Sequence, residues 1–409
     1  MNRILQSPKL VILMTIMIDM LGFGLIIPVL PSFSKELGAS NLEVGGIAAI
    51  YSLMNFLFAP WWGMLSDKYG RRPIILISIA VTGASYLLLG TSTALVVLFL
   101  SRMFSGIGSA NISVAQAYLS DITPPQERAK AMGMIGAAFG IGFIFGPVLG
   151  GWLADQFGTA ALGFFAASLS AINLVSAWWV LPESLKTKNP DSRPCLFRFR
   201  PLLDALQREH ISGLMIVGFI YITAFAMMQI TAVLYWEELH GLSKKEVGYL
   251  FAFIGITSAI VQGGLVGKLQ KAWGEERMLV VGLSCMVAGL AIIPFGPDPK
   301  TMFFAWQGLA MMLLALGSGC AQPALGSLLS RLAGAHEQGQ ILGVNMSFGA
   351  MARVVGPLLG GFLYGLDFHL PFVGGAVLSA SAFLLLIPLH NRLRALNAQP
   401  VQSVATETN

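Results

Sequence analysis

Apolar and polar residues alternate in long blocks along this chain. A helix needs roughly 20 apolar residues to cross a bilayer, and the pattern predicts an all-α membrane protein with twelve transmembrane helices in two six-helix bundles. The apolar runs lie near 10–31, 44–66, 74–92, 94–119, 131–154, 160–181, 211–236, 247–267, 278–296, 301–330, 340–365 and 370–390. We expect an N-terminal bundle (1–181), a cytoplasmic linker (182–210), a C-terminal bundle (211–390) and a disordered cytoplasmic tail (391–409).

Charge and composition support this class. Charged residues make up 11% of the 409 residues, against about 25% in soluble domains. With both termini in the cytoplasm, 19 of the 25 Lys and Arg residues fall on the cytoplasmic side, which is the usual bias of membrane proteins. This bias accounts for the net charge of +5 without a nucleic-acid partner. The first apolar run is too long for a cleaved signal peptide, so we expect it to be retained.

No enzymatic or metal-binding motif is present. The three cysteines show no paired spacing, and the five histidines lie at or beyond the ends of the predicted spans. We therefore expect no enzyme, no cofactor and no metal.

The two halves repeat each other. The segment "ERAKAMGMIGAAFGIGFIFGPVLGGWL" (127–153) aligns with "EQGQILGVNMSFGAMARVVGPLLGGFL" (337–363) at an offset of 210, "FSGIGSAN" (104–111) with "ALGSGCAQ" (315–322) at 211, and "EVGGIAAIYSL" (43–53) with "EVGYLFAFIGI" (246–256) at 203. Such a duplication is typical of secondary transporters, whose binding site lies between the halves near the midplane.

Three ionisable residues lie inside the predicted spans: Asp19, Arg102 and Arg353. Charged groups there are costly, so each needs a reason. Asp19 is expected roughly 13 Å into the hydrocarbon core, where lost hydration disfavours its charged form. It can therefore bind a proton from one side and release it to the other. The alternative is a structural aspartate that hydrogen-bonds a neighbouring helix.

The two arginines have alternatives of their own. Arg102 can pair with Asp19 and lower its proton affinity, or it can form a purely structural ion pair. Arg353 aligns with Phe143 in the repeat, so the second half carries a cation where the first has a ring. It can hold an anionic group of the cargo, or lock a conformation through backbone carbonyls. Uncharged polar residues are candidates for the cavity wall or for helix–helix hydrogen bonds; these are Asn111, Gln116, Gln229, Gln322 and Asn345.

Four motifs resemble those of the major facilitator superfamily and its drug/proton antiporter group. They are "GMLSDKYGRRP" (63–73), "LSRMFSGIGSA" (100–110), "GAAFGIGFIFGPVLGG" (136–151) and "IDMLGFGLIIPVLP" (18–31). The resemblance covers nearly the whole chain. Within the group, the chain is similar to bacterial tetracycline/proton antiporters. Those exporters are expected to carry further ionisable side chains where this chain has Ser85, Ser258 and Met286. The resemblance therefore implies the fold and the coupling mechanism, but not tetracycline as the cargo.

The resemblance also implies roles for two sets of residues. The carboxylate of Asp121 is expected to pair with Arg71. Asp67 is expected to face the start of the eleventh predicted span (340–365). These contacts would hold the cytoplasmic side shut. A static turn-stabilising pair is the alternative. Gly63 and Gly70 would permit close packing and a positive φ. The gating motif comprises Gly63, Asp67, Gly70, Arg71, Arg72 and Asp121, and the antiporter motif comprises Gly140, Gly142, Gly146, Pro147 and Gly150.

The sequence thus predicts a proton-coupled secondary transporter in a bacterial inner membrane. We expect it to act as a monomer and to export a small amphipathic compound by alternating access, with Asp19 and Arg102 coupling the proton. One alternative is a transporter of an organic anion or nutrient that uses Arg353. Another is a membrane sensor that transports nothing.

Overall fold

A computed structural model describes residues 7–185, 204–297, 300–333 and 337–398. It is helical throughout most of these ranges. The N-terminal half contains α1 (Pro8–Ile26), α2 (Leu30–Glu36), α3 (Asn41–Tyr69), α4 (Arg71–Gly90), α5 (Leu95–Ser109), α6 (Ile112–Asp121), α7 (Arg128–Phe157) and α8 (Thr159–Val180). The C-terminal half contains α9 (Glu209–Leu234), α10 (Lys244–Ile260), α11 (Val266–Ile292), α12 (Lys300–Leu332), α13 (Gln338–Leu366) and α14 (Leu370–Ala398).

The described helices account for twelve membrane spans. Ten continuous helical segments are long and apolar enough to cross a bilayer. One of them, Lys244–Phe295, holds two spans, because Gly274 breaks it with a φ of +76°. The apolar part of α14, Leu370–Leu386, supplies the last. The twelve-helix prediction is confirmed.

Matching sequence signals start the second and eighth spans. Ser40 accepts a hydrogen bond from the backbone N–H of Glu43, and the Glu43 side chain accepts one from the backbone of Ser40. Ser243 and Glu246 form the same reciprocal pair at the start of α10. This capping box satisfies backbone donors that a helix start leaves unpaired. The two pairs are 203 residues apart, which is the offset of the repeat in this segment, 43–53 against 246–256.

Several spans are interrupted where the sequence analysis expected continuous helices. The first span breaks between α1 and α2, next to Pro28, and the fourth breaks between α5 and α6 at Ala110 and Asn111. Wide π-helical turns follow α9, at Tyr235–Leu239, and α10, at Val261–Leu265. Such irregular backbone is tolerated in a membrane where it is buried in protein.

Each half packs its first and fifth spans together, and two seams join the halves. Within the halves, α1 contacts α7 and α9 contacts α13. Between the halves, α3 contacts α13 and α7 contacts α10; we call these contacts the α3–α13 seam and the α7–α10 seam. The seams correspond to each other under the sequence repeat. The fold is therefore two bundles joined by two equivalent seams.

Glycine makes both seams close. A Cβ at Gly45 would overlap the carbonyl oxygen of Pro357, and one at Gly361 would overlap that of Asn41. In the α7–α10 seam, a Cβ at Gly248 would lie 2.5 Å from the carbonyl oxygen of Pro147, and one at Gly151 would overlap that of Lys244. Small residues allow this approach of backbones in membranes.

The bundles meet at one end of the molecule and leave space at the other. We call the closed end the Glu36 end; there, Lys244 Nζ lies 2.6 Å from Glu36 Oε1 and joins the two halves. We call the opposite end, which holds the α3–α4 turn, the Arg71 end. On the seam helices toward that end, a Cβ would meet no atom within 4 Å at Gly133, Gly136, Gly140, Gly263, Gly339 and Gly343. The space between the bundles therefore opens toward the Arg71 end.

The predicted linker and tail lie partly outside the described residues. Of the linker (182–210), residues 186–203 lie outside them. The last helix, α14, continues to Ala398, so the first part of the predicted tail (391–409) is helical. Residues 399–409 lie outside the described ranges.

Candidate transport site

A cavity lies between the two bundles, beside the α3–α13 seam. Its empty space, counted out to the open solvent, is about 540 Å³, and it is formed by α1, α2, α3 and α5 of one half and by α9 and α13 of the other. Two of its lining residues carry a charge, Arg102 and Arg353. The other lining side chains are polar at Tyr51, Ser52 and Gln229 and apolar elsewhere. This position matches the expectation of a site between the repeats.

Asp19 lies beside the cavity, not in its wall. Its side chain is buried in α1, and one carboxylate oxygen, Oδ2, has no hydrogen-bond partner. The side-chain amide of Asn111 lies beside the carboxylate and interacts favourably with it, while Asn111 Nδ2 donates a hydrogen bond to Ser78 Oγ at 2.8 Å. Asn111 sits at the break between α5 and α6. The break therefore places an amide against the buried acid.

Arg102 is buried on α5, but it does not pair with Asp19. Among the residues that the structure describes, no ion pair joins the two, which differs from the pairing considered from the sequence. Half-buried Tyr51 and buried Tyr86 lie within electrostatic range of both Arg102 and Asp19. The guanidinium nitrogens Nε and Nη2 have no hydrogen-bond partner. In this conformation Arg102 is thus a buried cation with two guanidinium nitrogens that could donate hydrogen bonds to a ligand.

Arg353 projects from α13 toward the same cavity. Its side chain is exposed there, because the space beside α13 is open. Tyr51 of the N-terminal half and Tyr221 of the C-terminal half lie within electrostatic range of the guanidinium. Tyr51 is therefore within electrostatic range of both arginines.

The uncharged polar candidates separate into different environments. Gln229 lines the cavity. Asn111 is buried and donates the hydrogen bond to Ser78 already described. Asn345 lies on α13 near Gly218 of α9, which is a position between two helices. Gln116 is half-buried and Gln322 is exposed, and neither lines the cavity.

The predicted gating turn is built around one arginine. Arg71 Nη2 lies 2.7 Å from Asp67 Oδ1, and Arg71 Nε lies 3.5 Å from Asp121 Oδ2. Arg71 Nη1 also donates to Ser66 Oγ. In the described part of the chain, no ion pair from Asp67 reaches α13. The contacts within the N-terminal half are formed, while the contact that would join the halves at this end is not.

Glu183, which the sequence analysis did not single out, closes this turn. Its carboxylate accepts the backbone N–H groups of Arg71 at 2.9 Å and Arg72 at 3.2 Å, at the start of α4. A Cβ at Gly70 would overlap this carboxylate, and Gly70 has a φ of +115°. Both observations require glycine at that position. Arg72 Nη2 donates to the carbonyl of Trp178 at 2.8 Å.

Gly63 has a different environment from the one expected. A Cβ at Gly63 would meet no atom within 4 Å, so close packing does not require glycine there in this conformation. Gly63 lies within α3, near the Arg71 end, where the bundles are apart. The expected close packing is therefore limited to Gly70.

The antiporter motif on α7 has two contacting faces. Gly142, Gly146 and Gly150 face α1. A Cβ at Gly142 would lie 2.6 Å from Met20 Cβ, and one at Gly146 would lie 2.7 Å from Gly24 Cα. A Cβ at Gly150 would overlap the carbonyl oxygen of Leu25. Pro147 belongs to the face that meets α10 in the α7–α10 seam. At Gly140 there is open space. The motif thus joins α7 both to its own bundle and to the other one.

A second depression, on α10 and α12, carries no charged group. It encloses about 900 Å³ and is lined by Tyr249, Leu250, Phe253, Phe304, Ala305, Gly308, Leu309 and Met312. Several of these apolar side chains are exposed, which is expected where helices face lipid. The cavity between the bundles is therefore the candidate site.

Comparisons with known proteins agree with this architecture. The sequence profile described as Major Facilitator Superfamily matches residues 12–357 and 309–405. The chain belongs to the major facilitator superfamily. It is therefore a secondary transporter and a multi-pass membrane protein, and it is not an enzyme.

Relatives in this superfamily extend over most of the chain. Tetracycline resistance protein, class B, of Escherichia coli is 32% identical over 365 residues, which are 88% of each protein. Multidrug resistance protein 2 of Bacillus subtilis (strain 168) is 31% identical over 369 residues, 89% of this chain and 90% of the relative. The crystal structure of the human organic anion transporter MFSD10 (TETRAN) superposes with a TM-score of 0.68 at 26% identity and covers 93% of this chain and 98% of that one.

Proposed function

We propose that this superfamily member is a proton-coupled transporter that exports small amphipathic compounds by alternating access. The observation that carries the proposal is the buried carboxylate of Asp19, which has an unpartnered oxygen and lies beside a cavity between two bundles. The names of the bacterial relatives, which refer to tetracycline and multidrug resistance, support export.

The lysine and arginine bias orients the molecule in this proposal. It places the Arg71 end and both termini in the cytoplasm of a bacterium, with the protein in the inner membrane. The conformation described above would then be open to the cytoplasm and closed at the Glu36 end. We further propose that one chain suffices for transport, because the cavity is completed by the two halves of a single chain.

Asp19 suits the role of proton carrier for electrostatic reasons. A carboxylate without water around it favours its neutral form, and movement of the bundles can change its access to water. Proton binding on one side and release on the other would then couple the proton gradient to the cargo. The amide of Asn111, beside the carboxylate, limits the cost of the charged form.

The cargo is not proposed to be a metal–tetracycline complex. Ser85, at one position where the tetracycline exporters are expected to carry an acid, is buried and donates its hydroxyl hydrogen to the carbonyl of Thr82 at 2.7 Å. Met286, at another, is buried among apolar residues. Neither side chain is a good ligand for a hard cation.

The test is proton movement in proteoliposomes that contain a pH-sensitive dye. Lipophilic cations, zwitterions and anions are supplied to the purified protein and to Asp19→Asn. We expect at least one class of compound to produce proton movement in the original protein, and Asp19→Asn to lose it. Exchange of labelled for unlabelled compound needs no proton, so it should persist in the variant.

Asp155→Asn is the matched control. Asp155 is exposed at the Glu36 end and accepts a hydrogen bond from its neighbour Gln156. Undiminished proton movement in Asp19→Asn would exclude Asp19 as the carrier. Loss of both proton movement and exchange, with unchanged folding by size-exclusion chromatography, would assign Asp19 to cargo binding instead.

A further inference from the structure

The two cavity arginines come from opposite bundles. Arg102 lies on α5 of the N-terminal half and Arg353 on α13 of the C-terminal half, and both line the space between them. Tyr51 lies within electrostatic range of each. The cavity therefore carries two like charges, one contributed by each bundle.

No carboxylate lines this cavity. Every other lining residue is uncharged, and in the described part of the chain no ion pair reaches either arginine. Arg102 is only 2% exposed, and two of its guanidinium nitrogens have no hydrogen-bond partner. A buried, unpartnered cation is costly. A negative ligand group would offset this cost.

The sequence repeat argues against a shared structural role for the two arginines. Arg353 aligns with Phe143, and at the offset of 211 Arg102 aligns with Leu313. Each half therefore has its arginine where the other half has an apolar residue. A scaffold contact inherited from the duplicated ancestor would be expected in both halves. Neither half contains both arginines; they come together only in the cavity between the two halves.

Apolar and aromatic groups surround the cations. Phe23 stacks on Tyr51 with ring centroids 5.0 Å apart, and the lining includes Ile26 and Ile230. A flat apolar body would contact these walls while its charged group reaches the guanidinium groups.

We propose that Arg102 and Arg353 form one binding site for the anionic group, a carboxylate or sulfonate, of an aromatic organic anion. The anion accepts hydrogen bonds from one guanidinium of each bundle, and its ring lies against Phe23 and Tyr51. The anion also offsets the cost of the unpaired cation at Arg102. This inference rests on the proposed transport function, since it takes the cavity as the path of the cargo.

The test compares three probes with the same ring system and different charge. They are 2-naphthoate, 2-naphthalenemethanol and 2-naphthylmethylammonium, and binding to the detergent-solubilised protein is measured by isothermal titration calorimetry. We expect 2-naphthoate to bind at least tenfold more tightly than the other two. Arg353→Gln should lose this preference, and Arg353→Lys, which keeps the charge, should retain part of it.

Controls separate the site from general electrostatics and from folding. Arg277→Gln removes one positive charge from the exposed surface of α11 and should leave the preference unchanged. Arg102→Gln is expected to weaken binding of 2-naphthoate as well, and unchanged binding in a folded Arg102→Gln variant would remove Arg102 from the site. Because Arg353 is exposed, we expect its variants to fold, and they decide the outcome if Arg102→Gln does not fold.

Three results would overturn the inference. One is binding of the neutral or cationic probe as tight as that of 2-naphthoate, another is an unchanged preference in Arg353→Gln, and the third is no binding of any probe at millimolar concentration. The assay uses no proton gradient. If Asp19→Asn did not abolish proton movement, the proposed proton coupling would be rejected but the anion site would not. If 2-naphthoate showed no preference, the anion site would be rejected but the proton coupling would not.

Discussion

Glu183 acts at a single point, where α4 begins. Its two carboxylate oxygens accept the backbone N–H groups of Arg71 and Arg72, which are donors without a partner inside the helix. The negative charge also interacts favourably with the positive end of the helix dipole. This contact ties the segment after α8 to the turn between α3 and α4.

We expect Glu183→Gln to destabilise the protein by about 1 kcal/mol, as loss of a helix-capping group usually does. The amide retains one oxygen acceptor but loses the charge. Thermal unfolding in detergent, followed by circular dichroism, measures the change. Asp155→Asn, which removes an exposed carboxylate elsewhere, should unfold like the original protein, and equal stability of both variants would contradict the capping role.

Sequence alone could find some of the residues that matter here, but not others. Asp19, Arg102 and Arg353 stand out because a charge inside an apolar run is rare and costly. Tyr51 and Tyr86 gave no such signal, since tyrosine is common in membrane helices. Only the packing of α3 and α4 places their hydroxyl groups near the charged side chains. Roles that depend on a meeting of distant segments need the fold.

Among the helices, α7 makes close backbone contacts on two adjacent faces of one short segment. One face, with glycines at every fourth position, lies on α1, and the adjacent face lies on α10. Since neighbours four apart share one face of a helix, the spacing of Gly142, Gly146 and Gly150 produces a continuous strip without side chains. The strip determines how closely the first and fifth spans approach.

We expect Gly150→Ala to impair folding or transport much more than Gly140→Ala. A methyl group at Gly150 would overlap the carbonyl oxygen of Leu25, whereas one at Gly140 would enter open space. Forced packing of this kind typically costs about 1–3 kcal/mol. The yield of monodisperse protein and its unfolding temperature compare the two variants. A similar loss in both would show that the α1 contact does not explain the motif.

The number and order of the spans could be predicted from apolar run length, but their interruptions could not. The twelve runs needed only composition and the width of a bilayer. The π-helical turn at Tyr235–Leu239 and the break at Asn111 leave little trace in hydropathy, because the residues around them remain apolar. Their backbone groups are satisfied by neighbouring helices, which is a tertiary effect.

At the scale of the whole molecule, the two seams hold the Glu36 end closed. Gly45 meets the carbonyl of Pro357 in one seam, and Gly248 meets that of Pro147 in the other. The Lys244–Glu36 ion pair joins the bundles at the same end. Opening of this end therefore requires both backbone contacts to separate.

We expect Gly45→Leu to favour the conformation that is open at the Glu36 end. The added side chain has no room in the α3–α13 seam, while Gly46→Leu adds the same group where no atom lies within 4 Å. Access is measured with a membrane-impermeant maleimide, applied from the Glu36 side, that labels a cysteine replacing Ile230 in a cysteine-free background. Faster labelling in Gly45→Leu than in Gly46→Leu is expected, and equal rates would contradict the prediction.

The matching construction of the two seams offers a practical route to the other half of the transport cycle. Larger side chains at Gly45 and Gly248 would add bulk to each seam at corresponding positions of the repeat. Together they would separate the bundles by a similar distance at both seams, without rotating one bundle against the other. A protein held apart in this way could be imaged in the conformation that is open at the Glu36 end.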